Sequence, residues 1–322
     1  VDHEGRSSRI RARRGVLLAT GGFSQNAALR QQYQQAPIGA DWSASAPGAT
    51  GDGILMGQRL GAAMDFMGSA WWSPTYIVPD GRVVALIAGK SNPGSIMVNT
   101  LGKRFANEAQ PYEDLVKAQY ASNARGEQSI PCYLLFDAAH RRRYPIGHIK
   151  PGKVADDSSI PQDYFDTGLL TVAPTLAQLA DKLGMDAETL EDTVTRFNEH
   201  ARRGEDPEFG RGESEHDRYY ADKRIGPNPS LAPLEEGPYY ALLCHPGDLD
   251  TKGGLKCDEF ARVLDEHGAP ITGLYAAGNT SAAVMGDTYP GAGATIASAM
   301  TFGYIAARHA FEGKPGGGSS HE

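Results

Sequence analysis

Apolar positions fall into three patterns along this chain. The first is a short apolar run closed by glycine. Gly15-Val-Leu-Leu-Ala-Thr-Gly-Gly-Phe23 and Ile271-Thr-Gly-Leu-Tyr-Ala-Ala277, the latter followed by Gly278-Asn279, each predict a buried strand entering a tight turn. Ile130–Asp137 and Tyr239–Cys244 predict further strands. The second pattern is helical spacing. Leu176, Leu179 and Leu183, then Leu190, Val194 and Phe197, predict helices over 175–183 and 186–203 that stop at Gly184 and Gly204. The third is a helix of small residues from Ala294 to Ala310, entered through Tyr289-Pro-Gly-Ala-Gly293. Two hairpins are expected: Ser95–Phe105, turning at Thr100-Leu101-Gly102, and Lys252–Leu255 against Ala261–Leu264.

Between these elements the chain is polar or punctuated. Residues 1–14 read as an exposed strand or turn, and the run His140-Arg-Arg-Arg-Tyr144 as a solvated helix face. Residues 150–165 read as a mobile polar loop, and 313–322, rich in glycine and serine, as disordered. In Ala46-Pro-Gly-Ala-Thr-Gly-Asp-Gly-Ile54, Gly51 and Gly53 permit close backbone approach and Asp52 is expected to cap the helix that follows. Trp71-Trp72-Ser-Pro-Thr-Tyr76 opens an aromatic, proline-rich stretch, the expected exit from one domain into another; its rings line a pocket or form core.

With 322 residues and 40% hydrophobic content, the chain has enough material for two soluble domains. A net charge of −8 argues against nucleic acid or an acidic membrane as the main partner, and no apolar run reaches the length of a bilayer span. The three cysteines, Cys132, Cys244 and Cys257, lack metal-ligand spacing and read as reduced structural thiols, so no metal site is expected and the cytoplasm is the default location.

The glycine-rich turn feeding the helix at Ala294 offers unpaired N–H groups and a partial positive charge, which would suit an electron-rich ligand edge; a packed strand–turn–helix with nothing bound is the alternative. The stretch GLYAAGNTSAAVMGDTYPGAGATIASAMTFGYIAA, over nearly forty residues, resembles the C-terminal flavin-binding segment of the 3-ketosteroid Δ1-dehydrogenases, relatives of the fumarate reductase and succinate dehydrogenase flavoproteins. The resemblance implies FAD as cofactor. It places Thr20, Gly21, Gly22, Gly51, Asp52, Gly53, Gly278, Asn279, Ala294 and Thr295 against that cofactor, and makes Tyr289 and the backbone N–H of Gly293 the holders of the substrate C3 carbonyl. Such donors form an oxyanion hole that favours an enolate-like transition state.

Asn107-Glu-Ala-Gln-Pro-Tyr112 matches that family's N-E-x-x-P-Y pattern, which makes Tyr112 the expected base for the C2 proton, with hydride passing from C1 to flavin N5. A phenol with an ordinary pKa near about 10 needs help to act as a base at neutral pH, and a half-buried tyrosine capping a helix is the structural alternative. His148 is a weaker pocket candidate. Fumarate reductases carry a histidine ahead of T-x-G-G; here Leu249-Asp250 stands there, and Asp250 would repel a dicarboxylate.

The chain contains no GxGxxG, so the segments for the ADP half of FAD are missing and the sequence reads as the later part of a longer flavoprotein. The expected fold is α/β: a partial Rossmann-like, discontinuous FAD-binding domain over 1–70 and 239–322, with an inserted α+β substrate domain over 71–238. The expected activity is 1,2-dehydrogenation of a 3-ketosteroid or similar cyclic ketone with an unidentified electron acceptor, and a second chain supplying the missing FAD half is a conceivable partner. The rivals are a fumarate-type reductase and a chain that binds ligand without FAD.

Overall fold

The computed structural model describes residues 9–312 and the backbone of two short strands, Asp2–His3 and Arg6–Ser7. The expectation for 313–322 lies outside the described residues. The architecture is mixed α/β, and the chain divides into two compact units: residues 1–34, 46–70 and 250–322, and residues 35–45 and 71–249.

In the first unit, strand Pro270–Ala276 is the centre of a three-stranded sheet. It pairs antiparallel with Arg262–Leu264 and parallel with Val16–Leu18. The core beneath it joins Leu18, Phe23, Ile54, Leu255, Val263, Leu274 and Ala276. Strand Val16–Leu18 is less buried than its apolar sequence predicts: it is the sheet's edge, and Val16 is 49% exposed. The expected hairpin of Lys252–Leu255 with Ala261–Leu264 is replaced by another pairing. Gly254–Leu255 joins Met64–Asp65, and the 261–264 arm is drawn onto Pro270–Ala276, leaving only a bridge between Cys257 and Val263. The C-terminal helix runs Ala294–Glu312, two residues past its expected end, and its outer face carries Ile296, Met300 and Tyr304 at four-residue spacing, all exposed.

The second unit is built on a six-stranded sheet whose central strand, Tyr239–Thr251, is far longer than the expected Tyr239–Cys244. Cys132–Asp137 pairs with it and with Ser95–Val98, both antiparallel. Strand alternation sorts the side chains cleanly: Met97, Leu134, Phe136, Tyr240 and Leu242 enter one core, while Ile96, Val98, Leu135 and Ala241 enter another. That second core is roofed by helices Leu176–Leu183 and Ala187–Arg203, which carry the expected apolar positions. Thr175 and Asp186 turn out to be their side-chain N-caps, and Gly184 and Gly204 end them in the left-handed conformation. Trp71 and Trp72 are buried, Trp72 packing edge-on against Tyr120, so these rings are core.

Two polar expectations are corrected here. The basic run is only half solvated. Arg142 and Arg143 are exposed, but Arg141 is buried, paired with Asp157 at 2.9 Å and donating to the carbonyls of Lys150 and Ala155. Residues 150–165 form a short 3-10 turn and a helix, Gln162–Asp166, tied down by buried Ile160 and Tyr164 and by the Asp157–Tyr240 hydrogen bond. An apolar side chain every few residues anchors a segment whose overall composition is polar.

Candidate functional site

Three turns far apart in sequence meet within the first unit. The strand Val16–Leu18 ends at Thr20-Gly21-Gly22, where Gly21 adopts φ 81°, a conformation glycine reaches without strain. Gly51, at φ 85°, is the N-cap of helix Asp52–Arg59, and its N–H donates to Gly22 O at 2.9 Å. Gly53 N–H donates to Thr20 Oγ1 at 3.0 Å, and a Cβ on Gly53 would lie 2.6 Å from that oxygen. The third turn follows strand Pro270–Ala276: Thr280, buried at the end of Gly278-Asn279-Thr280, accepts from Thr20 N–H at 2.8 Å and donates to Gly21 O at 3.0 Å. Thr20, Gly21, Gly22, Gly51 and Gly53 are thereby hydrogen-bonded into one cluster, which the Gly278–Asn279 turn joins through Thr280.

Asp52 departs from its expected capping role. Gly51 is the N-cap and has no side-chain bond to the helix; Asp52 is the first helical residue, exposed, and accepts from Thr50 Oγ1 at 3.1 Å. Its carboxylate still sits at the positive end of the helix, where the dipole favours it.

Asp250 is the residue whose surroundings the sequence conceals most. Its carboxylate does not stand open to repel an anion; it is 7% exposed and turned into the cluster. Oδ2 accepts from Gly22 N–H at 3.0 Å and Asn279 Nδ2 at 2.9 Å, and Oδ1 accepts from Ser24 Oγ at 2.9 Å and Thr251 N–H at 2.7 Å. Thr251 Oγ1 in turn accepts from Phe23 N–H at 3.0 Å. Thr280, Ser24 and Thr251 belong to the same arrangement. Their signal in the sequence is only adjacency to the glycine turns.

Tyr289 and Gly293 lie in the loop that leads to the C-terminal helix, also in the first unit. Tyr289 is half-buried and Gly293 exposed at φ 89°, with open space where a Cβ would stand. The loop is pinned from below: buried Lys252 donates through Nζ to Thr288 O at 2.7 Å, and Ser69 Oγ bonds Asp287 Oδ1 at 2.5 Å. Ala294 is buried at the helix start and Thr295 half-buried beside it, while Ala299 of the next turn lies 3.4 Å from a Cβ built on Gly278. The helix N-terminus and the Gly278 turn are neighbours for that reason. Small residues, backbone N–H groups and a helix N-terminus, with open space at Gly291 and Gly293, fit a flat ligand with an electron-rich edge such as a flavin ring.

Tyr112 lies in the second unit, as the half-buried first residue of helix Tyr112–Ala124 with Pro111 as N-cap. The segment ahead of it is held by buried charge. Glu108 accepts from Arg104 Nε and Nη2, both at 2.9 Å, and from Arg211 Nη1 at 3.0 Å; Arg104 also forks onto Asp206. Burial pushes the Glu108 carboxyl upward, but Arg104 and Arg211 outweigh it and hold it below the usual range. Lys90, fully buried, donates to Glu108 O at 2.8 Å and Gln110 O at 2.6 Å; burial and Arg211 lower its pKa to about 7. His148 is exposed, and its ring nitrogens bond the hydroxyls of Tyr76 and Tyr164. Asp137 caps helix Ala138–Arg143 and also accepts from the N–H groups of Glu235 and Glu236.

Among the described residues there is no cluster of metal-ligating side chains, and no helix is long and apolar enough to cross a membrane. The three cysteines are free thiols.

The family model for the FAD binding domain matches residues 1–296. The chain belongs to that family. A 3-oxosteroid 1-dehydrogenase of Mycobacterium tuberculosis is 47% identical over 314 residues, covering 95% of this chain and 55% of that protein. A 4-oxocyclohexanecarboxylate 2-dehydrogenase of Sinomonas cyclohexanicum is 41% identical, covering 93% of this chain and 51% of that one. The crystal structure of 3-ketosteroid delta1-dehydrogenase from Sterolibacterium denitrificans, in complex with 1,4-androstadiene-3,17-dione, superposes with a TM-score of 0.93 at 43% identity, over 97% of this chain and 55% of that chain. This member of the FAD binding family thus spans about half the length of the relatives it matches.

Proposed function

We propose that this chain contributes to FAD-dependent 1,2-dehydrogenation of a 3-ketosteroid or a similar cyclic ketone. The observation that carries the reading is the convergence of the Thr20–Gly22, Gly51–Gly53 and Gly278–Thr280 turns into one cluster. In this reading those turns, with Asp52, Ala294 and Thr295, hold the cofactor, and the first unit is the cofactor-binding part of the chain. FAD held there would supply the acceptor for the hydride leaving C1.

The protein's own groups do the rest. Tyr289 Oη and Gly293 N–H would donate to the C3 carbonyl oxygen and stabilise the charge that develops on it. That stabilisation acidifies C2, whose proton goes to the Tyr112 oxygen as phenolate, the phenol's own proton having first left to solvent. The fixed segment 108–111 delivers Tyr112 in one position, so little ordering remains at the reacting step. Relatives named for a steroid and for a monocyclic oxo-acid support a ring ketone as the substrate class, with the size of the ring system left to measurement.

The test is the visible spectrum of the 322-residue chain after incubation with FAD and gel filtration, followed by anaerobic addition of a 3-ketosteroid. Retained flavin that bleaches on addition supports the reading. Retained flavin that stays oxidised removes the dehydrogenase activity from this chain, and a colourless protein removes cofactor binding.

A further inference from the structure

Asp250 occupies an unusual position for a carboxylate. It lies at the end of strand Tyr239–Thr251, is almost fully buried, and accepts four hydrogen bonds, two on each oxygen. The donors belong to different parts of the first unit: Gly22 and Ser24 follow the Val16–Leu18 strand, Asn279 follows the Pro270–Ala276 strand, and Thr251 is its own neighbour. The two strands are parallel neighbours, and beyond their ladder Thr280 ties the turns together at Thr20 and Gly21, leaving Gly22 and Asn279 to a second link. Asp250 bridges those turns.

The geometry also says why the group must be a carboxylate. A backbone N–H faces each oxygen, Thr251 on Oδ1 and Gly22 on Oδ2, so an amide NH2 in either place would set donor against a donor that cannot turn away, even where the Ser24 hydroxyl or the Asn279 amide turns to accept. The neighbouring backbone is fitted to it as well: a Cβ on Gly22 would lie 2.4 Å from Oδ1.

We propose that Asp250 is a positioning residue that locks the Thr20–Gly22 turn to the Gly278–Asn279 turn and thereby sets this unit's affinity for FAD. The proposal rests on the reading of those turns as cofactor-binding. It assigns Asp250 no contact with substrate and no part in proton transfer.

The test uses the 322-residue chain and Asp250→Asn, which is isosteric and keeps the packing. Amide hydrogen exchange is measured on the chain without FAD, and the dissociation constant for FAD by quenching of flavin fluorescence. The expected result is exchange faster by about tenfold or more at both Gly22 and the 278–279 turn, with FAD binding weaker by about tenfold or more. Exchange around the Cys132–Asp137 strand of the second unit, which is distant in sequence from the change, should stay as in the wild type. Ser24→Ala removes one donor and keeps the carboxylate. Its expected effect is a smaller weakening of FAD binding, about two- to fivefold, and it gives a reading even where Asp250→Asn fails to fold.

FAD affinity of Asp250→Asn within twofold of wild type, or loosening confined to residues 22–24, overturns the proposal while leaving the cofactor reading intact. Unchanged FAD affinity in Ser24→Ala does so where the first variant does not fold. A wild-type chain that retains no FAD overturns the cofactor reading itself, and this proposal with it.

Discussion

Arg104 and Glu108, four residues apart and outside any helix, form a two-pronged ion pair with both side chains almost fully buried. Around it stand Asp206, which takes the other fork of Arg104, and Arg211, which reaches Glu108 from the far side. The rings of Phe197 and Phe209 lie about the Arg104 guanidinium at 5.0 and 4.9 Å. Four charges of balanced sign are thereby sealed from water ahead of Tyr112.

A network of this kind punishes the loss of one member more than its net worth suggests, because the remaining charges stay buried without compensation. Arg104→Met leaves Glu108 and Asp206 without the guanidinium that both grip, with Arg211 as the remaining ion-pair partner of Glu108. The expected loss is about 3–5 kcal/mol in urea unfolding. A loss below about 1 kcal/mol would mean that water or a neighbouring cation replaces the guanidinium.

Lys90 makes a prediction in pH. Its folded pKa is lowered to about 7, first by burial and then by Arg211, whereas the unfolded chain keeps an ordinary lysine. Between those two values the unfolded state binds more protons, so stability rises with pH over that window, and the cost of burying the ammonium is fully present below it. Chemical unfolding from pH 6 to pH 10 should show this rise in the wild type, and Lys90→Met should lack that component. Equal slopes in the two proteins would locate the proton elsewhere.

Tyr112→Phe tests the proposed base. The residue is only half-buried, so stability should change by within about 0.5 kcal/mol, while the rate of anaerobic flavin bleaching falls by about 10²–10⁴. Bleaching at the wild-type rate would remove Tyr112 from the reaction.

Much of this was legible in the residues. Gly51 and Gly53 announced close backbone approach, the turns at 20–22 and 278–279 were marked as strand ends, and helical periodicity marked 176–183 and 187–203. What stayed hidden depends on partners distant in sequence. The hairpin expected at 252–264 lost its pairing because each arm found another partner, Gly254–Leu255 at Met64–Asp65 and the 261–264 arm on the core strand Pro270–Ala276. Arg141 looks solvated in a run of arginines until Asp157 and two carbonyls are brought to it. Asp250 reads as an unfavourable charge because the donors it serves are about 30 and about 230 residues away, at Asn279 and Gly22.

The thiols should be inert. Cys132 and Cys244 are buried, and burial raises both, Cys244 to about 12; Cys257 is half-buried and also raised to about 12 by burial and by Asp258. A thiolate is the reactive species, so a disulfide reagent at pH 8 should label none of the three within minutes and all three in denaturant. Rapid native labelling of one thiol would point to local opening at Cys257, the least buried.

Two glycines separate packing from chain freedom. A Cβ at Gly22 would lie 2.2 Å from Thr251 Oγ1 and 2.4 Å from Asp250 Oδ1, whereas at Gly48 it would meet no atom within 4 Å. Neither has the positive φ that would strain alanine, so the contrast is steric alone. Gly22→Ala must displace two groups that hold the turn, at a cost of about 1–3 kcal/mol, and should weaken FAD retention. Gly48→Ala should be neutral or stabilising by up to about 1 kcal/mol, since alanine has less conformational freedom to lose. Paired urea titrations decide it: equal midpoints would show that the turn at Gly22 yields to a methyl group, and that Asp250 holds it less firmly than its four hydrogen bonds imply.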